Sequence, residues 1–486
     1  MMRQLLTIII LTLAFDCLGQ LQFDKVKVSA QTKEIVERIE TINELMGSAV
    51  GYAGEKPEQY DNFIALRKEA SKEELIGLTN YPNSVVRCYA FWALCYDSSV
   101  HIFPIVLKHL ADTAHVKTQF GCIGSREKVG DFFINLAIPH YVDLDSKKLT
   151  ASELSTLDSI LVYTPNTLYA KEEAIERIKP TEQLYLKVKE LVTQEHNQAA
   201  LVTLAKFQKE QDTYLILNNQ TDDGFYFTCK AISEYPNPAF LPFLKKSLYN
   251  TLGESHYNPQ WRALYNAVAS YKNDTSLQLL TVPFTQVKHQ DIREYHIQYV
   301  FEAVQSFYSP LYDELLWKMW SDEKLITPEV FKMLYKKDSK RAFQLTKQTI
   351  EYAGDFYYLV TGNYNNVKEN KANLIDVMLD TVIIRDRSLA TKLINENIRQ
   401  INVHEFPTFA NKAFKLKDIS FVASLLHRLA TEDNPHIYLK AAEVLIAFRD
   451  KNINRKIINA YHQNRNLHKD WGGQEFAKLL KENNLK

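Results

Sequence analysis

The amino-acid sequence predicts an all-α chain, built as a stack of antiparallel helix pairs of the α-solenoid kind. Three observations carry this expectation. Glycine (14) and proline (15) are scarce for 486 residues, which removes the turn chemistry that a many-stranded protein needs. Apolar residues return at helical spacing in one segment after another. A register of hydrophobic, basic and small residues recurs along the chain, first in Val86-Arg87-Cys88-Tyr89-Ala90-Phe91-Trp92-Ala93-Leu94, and such recurrence marks a repeat array. The 46% hydrophobic and 24% charged residues exclude a disordered chain. An array also explains the length, because each repeat packs only on its neighbours and needs no single large core.

The elements follow in order. Residues 1–19 read as an export signal: Arg3 gives the positive start, Leu5 to Phe15 is apolar except for Thr7 and Thr12, and Cys17-Leu18-Gly19 offers a small-residue cleavage site. The run is shorter than the roughly 20 residues that span a bilayer. Asp16 stands where lipid attachment at Cys17 would want a small residue. Residues 20–70 hold N-terminal helices, one from Ser29 to Met46, ended by Gly47, Gly51 and Gly54, and another opened by Pro57. Ser71-Lys72-Glu73-Glu74 is a capping box, and the repeats of residues 71–353 begin there.

Within 71–353, Val116-Lys117-Thr118-Gln119-Phe120-Gly121-Cys122-Ile123 repeats the first register as a second helix, with Lys117 in the place of Arg87. Three glycines between Gly121 and Gly130 read as a helix end and tight turn, since the order of a phosphate-binding loop is missing. Helices follow from Ala151, Thr167, Pro180, Gln198, Thr213, Phe225, Pro238 and Pro259, with Pro165 and Pro180 at helix starts. The register returns at Trp261-Arg262 and at Ile437-Tyr438. Residues 354–370, with Asn363, Asn365, Asn366 and Asn370, form the linker candidate, and 371–486 hold the C-terminal helical repeats.

The order hydrophobic-Arg-x-x-Ala-x-x-Ala-Leu over residues 86–94 resembles the first helix of a HEAT-type repeat. The resemblance is specific over roughly residues 75–125 and weaker near 261 and 437. It implies that Arg87, Asp112 and Arg262 link neighbouring repeats, while Lys117 and Tyr438 depart from the pattern. It also implies a superhelix with a concave binding face.

Lys plus Arg equal Asp plus Glu at 58 each, so no net field draws a phosphate backbone, and nucleic acid is not an expected partner. Basic clusters at Lys336 to Arg341 and Lys451 to Lys469 read as solvated helix ends. Cys88, Cys95, Cys122 and Cys229 show no paired spacing and read as buried small hydrophobes. His101, His109, His115 and His140 do not share a helix face, and Glu294 and His296 lie two apart on different faces. No metal, cofactor or catalytic residue is assigned, and binding residues stay unassigned. His404-Glu405 stands alone, and Asp222-Asp223 before Gly224 reads as a turn. The expected function is an exported, non-catalytic HEAT-like scaffold acting on a protein partner at the cell envelope, without a membrane span. Its alternative is an envelope hydrolase on an α/α toroid using paired carboxylates. Export predicts a mature chain beginning at Gln20; N-terminal sequencing that finds Met1 intact contradicts it.

Overall fold

The computed structural model describes residues 27–139, 143, 145–219, 224–353 and 374–485. The export signal with Cys17, His140, the Asp222-Asp223 pair and the 354–370 linker lie outside the described residues. Of the described residues 69% are helical and 5% are in strands, so the class is all-α with one inserted sheet. The chain forms two compact units, Met1–Phe240 and Leu241–Lys486, whose boundary falls within the 71–353 span.

In the first unit the helices are α1 (Ala30–Ile42), α2 (Glu58–Glu69), α3 (Lys72–Leu78), α4 (Ser84–Leu94), α5 (Phe103–Lys108), α6 (Val129–Ala137), α7 (Ala151–Tyr163), α8 (Ala170–Arg177), α9 (Glu182–Gln194), α10 (Gln198–Ala205), α11 (Thr213–Leu217) and α12 (Gly224–Glu234). Their starts follow side-chain chemistry. The Ser71 hydroxyl accepts from the Glu74 N–H and the Glu74 carboxylate from the Ser71 N–H, the capping box expected from the sequence. Thr150 and Glu153 repeat it at α7. Pro165 and Pro180 precede α8 and α9 instead of opening them, for those helices begin at Ala170 and Glu182.

Helix α4 lies at the centre of this unit and packs on α1, α2, α3 and α6. Every residue from Val85 to Leu94 is buried, so the polar Arg87 needs partners inside. Arg87 Nε lies 2.8 Å from Asp112 Oδ2 and both side chains are 1% exposed. Its terminal nitrogens donate to Asp112 Oδ1 at 3.1 Å and to the Tyr81 and Pro82 carbonyls at 2.8 Å each. The ion pair expected to link neighbouring repeats instead joins α4 to the loop after α5. Ala90, at the small position of the register, is fully buried, with Phe91 stacked 4.1 Å from Phe133 of α6.

The second copy of the register is not a helix. Residues His115–Gly121 form strand β2 and Ile123–Lys128 form β3, antiparallel to it; Leu45–Val50 form β1, parallel to β2. The sheet order is β1-β2-β3. Val116 and Thr118 are buried while His115 and Lys117 are exposed, a period of two that only a strand satisfies. The three-glycine segment is accordingly a hairpin, with Gly121 at φ +59 in its turn, and not a helix end. Cys122 on that turn is exposed, unlike the buried Cys88, Cys95 and Cys229. Burial pushes the Cys95 thiol up to about 12.

The second unit holds α13 (Leu241–Thr251), α14 (Trp261–Ala269), α15 (Asp274–Thr281), α16 (Pro283–Gln286), α17 (Arg293–Ser306), α18 (Asp313–Glu323), α19 (Pro328–Lys337), α20 (Ser339–Glu351), α21 (Leu374–Arg385), α22 (Arg387–Gln400), α23 (Phe406–Leu416), α24 (Phe421–Thr431), α25 (Pro435–Ile446), α26 (Lys451–Gln463) and α27 (Asp470–Glu482). Both later copies of the register are helical and buried: Trp261, Tyr265 and Val268 on α14, and Ile437, Tyr438, Ala441 and Leu445 on α25. Arg262 bonds Glu302 of α17 at 2.7 Å. Beyond α19 a regular order sets in. α20 packs on α22, α21 on α23, α22 on α24, α23 on α25, α24 on α26 and α25 on α27. Lys412, 1% exposed, is held by Asp376 at 2.9 Å and Asp380 at 2.6 Å.

Removing one partner of a buried pair leaves an uncompensated charge. Asp112→Ala is expected to cost about 3–5 kcal/mol, and Arg87→Met with Asp112→Leu to recover much of it. Urea unfolding checks this; equal stability of Asp112→Ala and wild type contradicts it.

Candidate functional site

The inserted sheet is fastened from three directions. On β1 the Met46 N–H donates to the Tyr89 hydroxyl at 2.8 Å, and that hydroxyl donates to the Met46 carbonyl at 3.1 Å. At the open end of the hairpin Val129 N–H donates to the Ala114 carbonyl and Gly130 N–H to the Asp112 carbonyl, each at 2.9 Å. At the turn end Gly51 N–H donates to the Gly121 carbonyl at 2.9 Å. Cys122 Sγ lies 3.4 Å from the Gly51 carbonyl oxygen.

The two faces differ in chemistry. The inner face carries Val116 and Thr118 of β2 and, opposite Val116, Glu127 of β3. Asn135 Nδ2 donates to Glu127 Oε1 at 2.5 Å. Burial outweighs that bond and pushes the Glu127 carboxyl up to about 7. The outer face carries His115, Lys117 and Gln119 of β2 against Lys128, Arg126 and Gly124 of β3. It bears no carboxylate on either of these strands. Lys128 Nζ donates to the Thr167 carbonyl and lies 4.7 Å from the Tyr169 ring. Lys117 and Arg126 face each other directly, and neither has an ion-pair partner among the described residues. They border a recess of about 270 Å³ that Asn43 and Ser84 also line. At the turn end Tyr52 is fully exposed and Ile123 is 72% exposed.

Other sequence candidates have frame partners or stand apart. His109 is buried beside Asp112, Nδ1 to Oδ2 3.4 Å, and its burial holds its proton affinity below the ordinary range. His101 bonds Glu153 at 2.6 Å, and the Glu153 carboxyl, bonded first by the Thr150 N–H, drops to about 2. His296 stacks on Trp261 at 4.1 Å and meets the Tyr265 hydroxyl at 2.8 Å; burial lowers it to about 4. In the basic segment from Lys336, Lys337 pairs with Asp313 and Arg341 with Glu314. An open cleft of about 540 Å³ runs along Thr193, His196, Gln198 and Tyr214, where Gln198 and Asn219 exchange amide hydrogen bonds at 3.2 and 2.7 Å. Among the described residues no three His, Cys, Asp or Glu side chains come together as a metal site, and no helix is long and apolar enough to cross a membrane.

Comparison with protein-family models, curated proteins and solved structures finds no match for this chain.

Glu127 sets a pH dependence. Its carboxyl holds a proton more tightly when folded than the ordinary 4.5, so the folded state loses stability as pH rises from about 4.5 through about 7. Glu127→Gln keeps an acceptor for Asn135 and is expected to melt above wild type at pH 8, the two converging near pH 4. A wild type that is the more stable at pH 8 contradicts this.

Proposed function

We propose that this chain is an exported, non-catalytic helical scaffold with HEAT-like stacking, which holds a protein partner and presents the inserted sheet as its recognition surface. The observation that carries the reading is the outer sheet face, where Lys117 and Arg126 stand opposed without counterions beside a recess. Like charges placed directly opposite each other cost stability, and a frame with no use for them would be expected to lose one. The exposed Tyr52 and Ile123 add apolar area at the same sheet's turn end, and aromatic anchors are enriched at binding surfaces.

Stacking is supported by the next-but-one packing from α20 to α27, the order in which successive helix pairs cover one another. Several buried aspartates serve the helical frame. Asp112 holds Arg87, Asp158 holds Arg177 at 2.8 Å, and Asp212 holds Lys189 at 2.7 Å. Asp131 accepts the Ala170 N–H at 2.9 Å.

A pull-down from the envelope fraction with the mature chain as bait tests the reading. Wild type is expected to retain a specific protein, and Tyr52→Ser with Ile123→Ser to retain several-fold less. Failure of wild type to retain any protein above the control bead, or turnover of an envelope glycan by the purified chain, overturns it.

A further inference from the structure

We propose that the outer edge of β3 accepts an acidic, extended segment of the partner protein as a fourth strand, its carboxylates set against Lys117 and Arg126; this rests on the scaffold reading. Two separate features point there. The first is backbone. The Val129 N–H bonds the Ala114 carbonyl, and hydrogen-bonded and non-hydrogen-bonded pairs alternate along an antiparallel ladder. Counting back through the register, Lys117–Arg126 and Gln119–Gly124 are non-hydrogen-bonded pairs. The N–H and C=O groups of Gly124 and Arg126 therefore point away from β2. The sheet ends at β3, and among the described residues these groups bond nothing outside the sheet. Gly124, Ser125 and Arg126 are all exposed. Such an edge is a template for an added strand.

The second feature is charge. A non-hydrogen-bonded pair brings its two side chains closest, so the Lys117 and Arg126 charges share one small volume over the recess. A carboxylate above it would meet both. The same cations select against self-pairing, since a second β3 laid on this edge would bring Arg126 of two copies together. An acidic strand gains what a second copy loses. β3 spans six residues, enough to register an ordinary strand.

The test uses the full chain and a fluorescein-labelled peptide of about eight residues alternating Glu with Val, a strand's length. Its Gln-for-Glu counterpart is the control. Anisotropy is expected to show binding of the Glu peptide that weakens with salt, and about tenfold weaker binding by the Lys117→Gln, Arg126→Gln double variant, two exposed charge pairs together. Hydrogen exchange is expected to slow at the Gly124 and Arg126 amides when the peptide is bound. Circular dichroism establishes that the double variant folds. Equal binding of the Gln peptide, equal binding by the double variant, unprotected Gly124 and Arg126 amides, or wild type pairing with itself through β3 each overturns the proposal. Envelope capture separates the two levels. A partner held equally by wild type and double variant removes this edge and leaves the scaffold, whereas a wild type that captures nothing removes the scaffold itself.

Discussion

The buried pair of Arg87 and Asp112 is the constraint on which the first unit depends. A guanidinium with 1% exposure survives only where its donors are matched, and here the matches come from two stretches of chain. Asp112 supplies two oxygens from the loop after α5, and Tyr81 and Pro82 supply carbonyls from the loop before α4. The ion pair thus fixes both loops against one helix. Its cost in desolvation is offset by geometry, and its gain is positional: it specifies where residue 112 must lie.

The sheet inherits that position. Asp112 gives its backbone carbonyl to Gly130 N–H at 2.9 Å. Its Oδ1 accepts from Ala114 N–H at 3.3 Å, one residue before β2. Both roots of the hairpin therefore hang on the residue that Arg87 holds. Tyr89, two residues along α4, grips β1 at Met46. One helix turn so positions the three strands, and the cationic outer face follows from the alternation of the strands themselves.

Much of the frame was legible in sequence because helix signals are local. The Ser71 box and the start of α7 at Ala151 follow from residues within a turn or two of one another. The pairing of Arg87 with Asp112 could be expected through the repeat resemblance alone, since 25 residues separate them. The sheet was missed for a physical reason. Val116, Phe120 and Ile123 fit a helical register as well as a strand, and what decides is long-range pairing with Leu45 and Met46. The signals that could have revealed it were the alternation His115-Val116-Lys117-Thr118 and the glycine at 121, where a positive φ suits a hairpin. The candidate site was illegible for the same reason. Lys117 and Arg126 become a site only once the register sets them face to face.

That the ion pair and the sheet act as one unit can be tested with a single methyl group. A Cβ at Gly130 would lie 2.7 Å from the His109 carbonyl oxygen and 3.2 Å from that of Asp112, forcing the loop off its position without touching either charge. Hydrogen exchange of Gly130→Ala is expected to speed up at Val116 and Thr118 and at the start of α4 together, with Leu241–Lys486 unchanged. Protection retained at Val116 and Thr118 while the start of α4 loosens would show that the sheet stands independently of the Arg87–Asp112 pair, and would contradict the account.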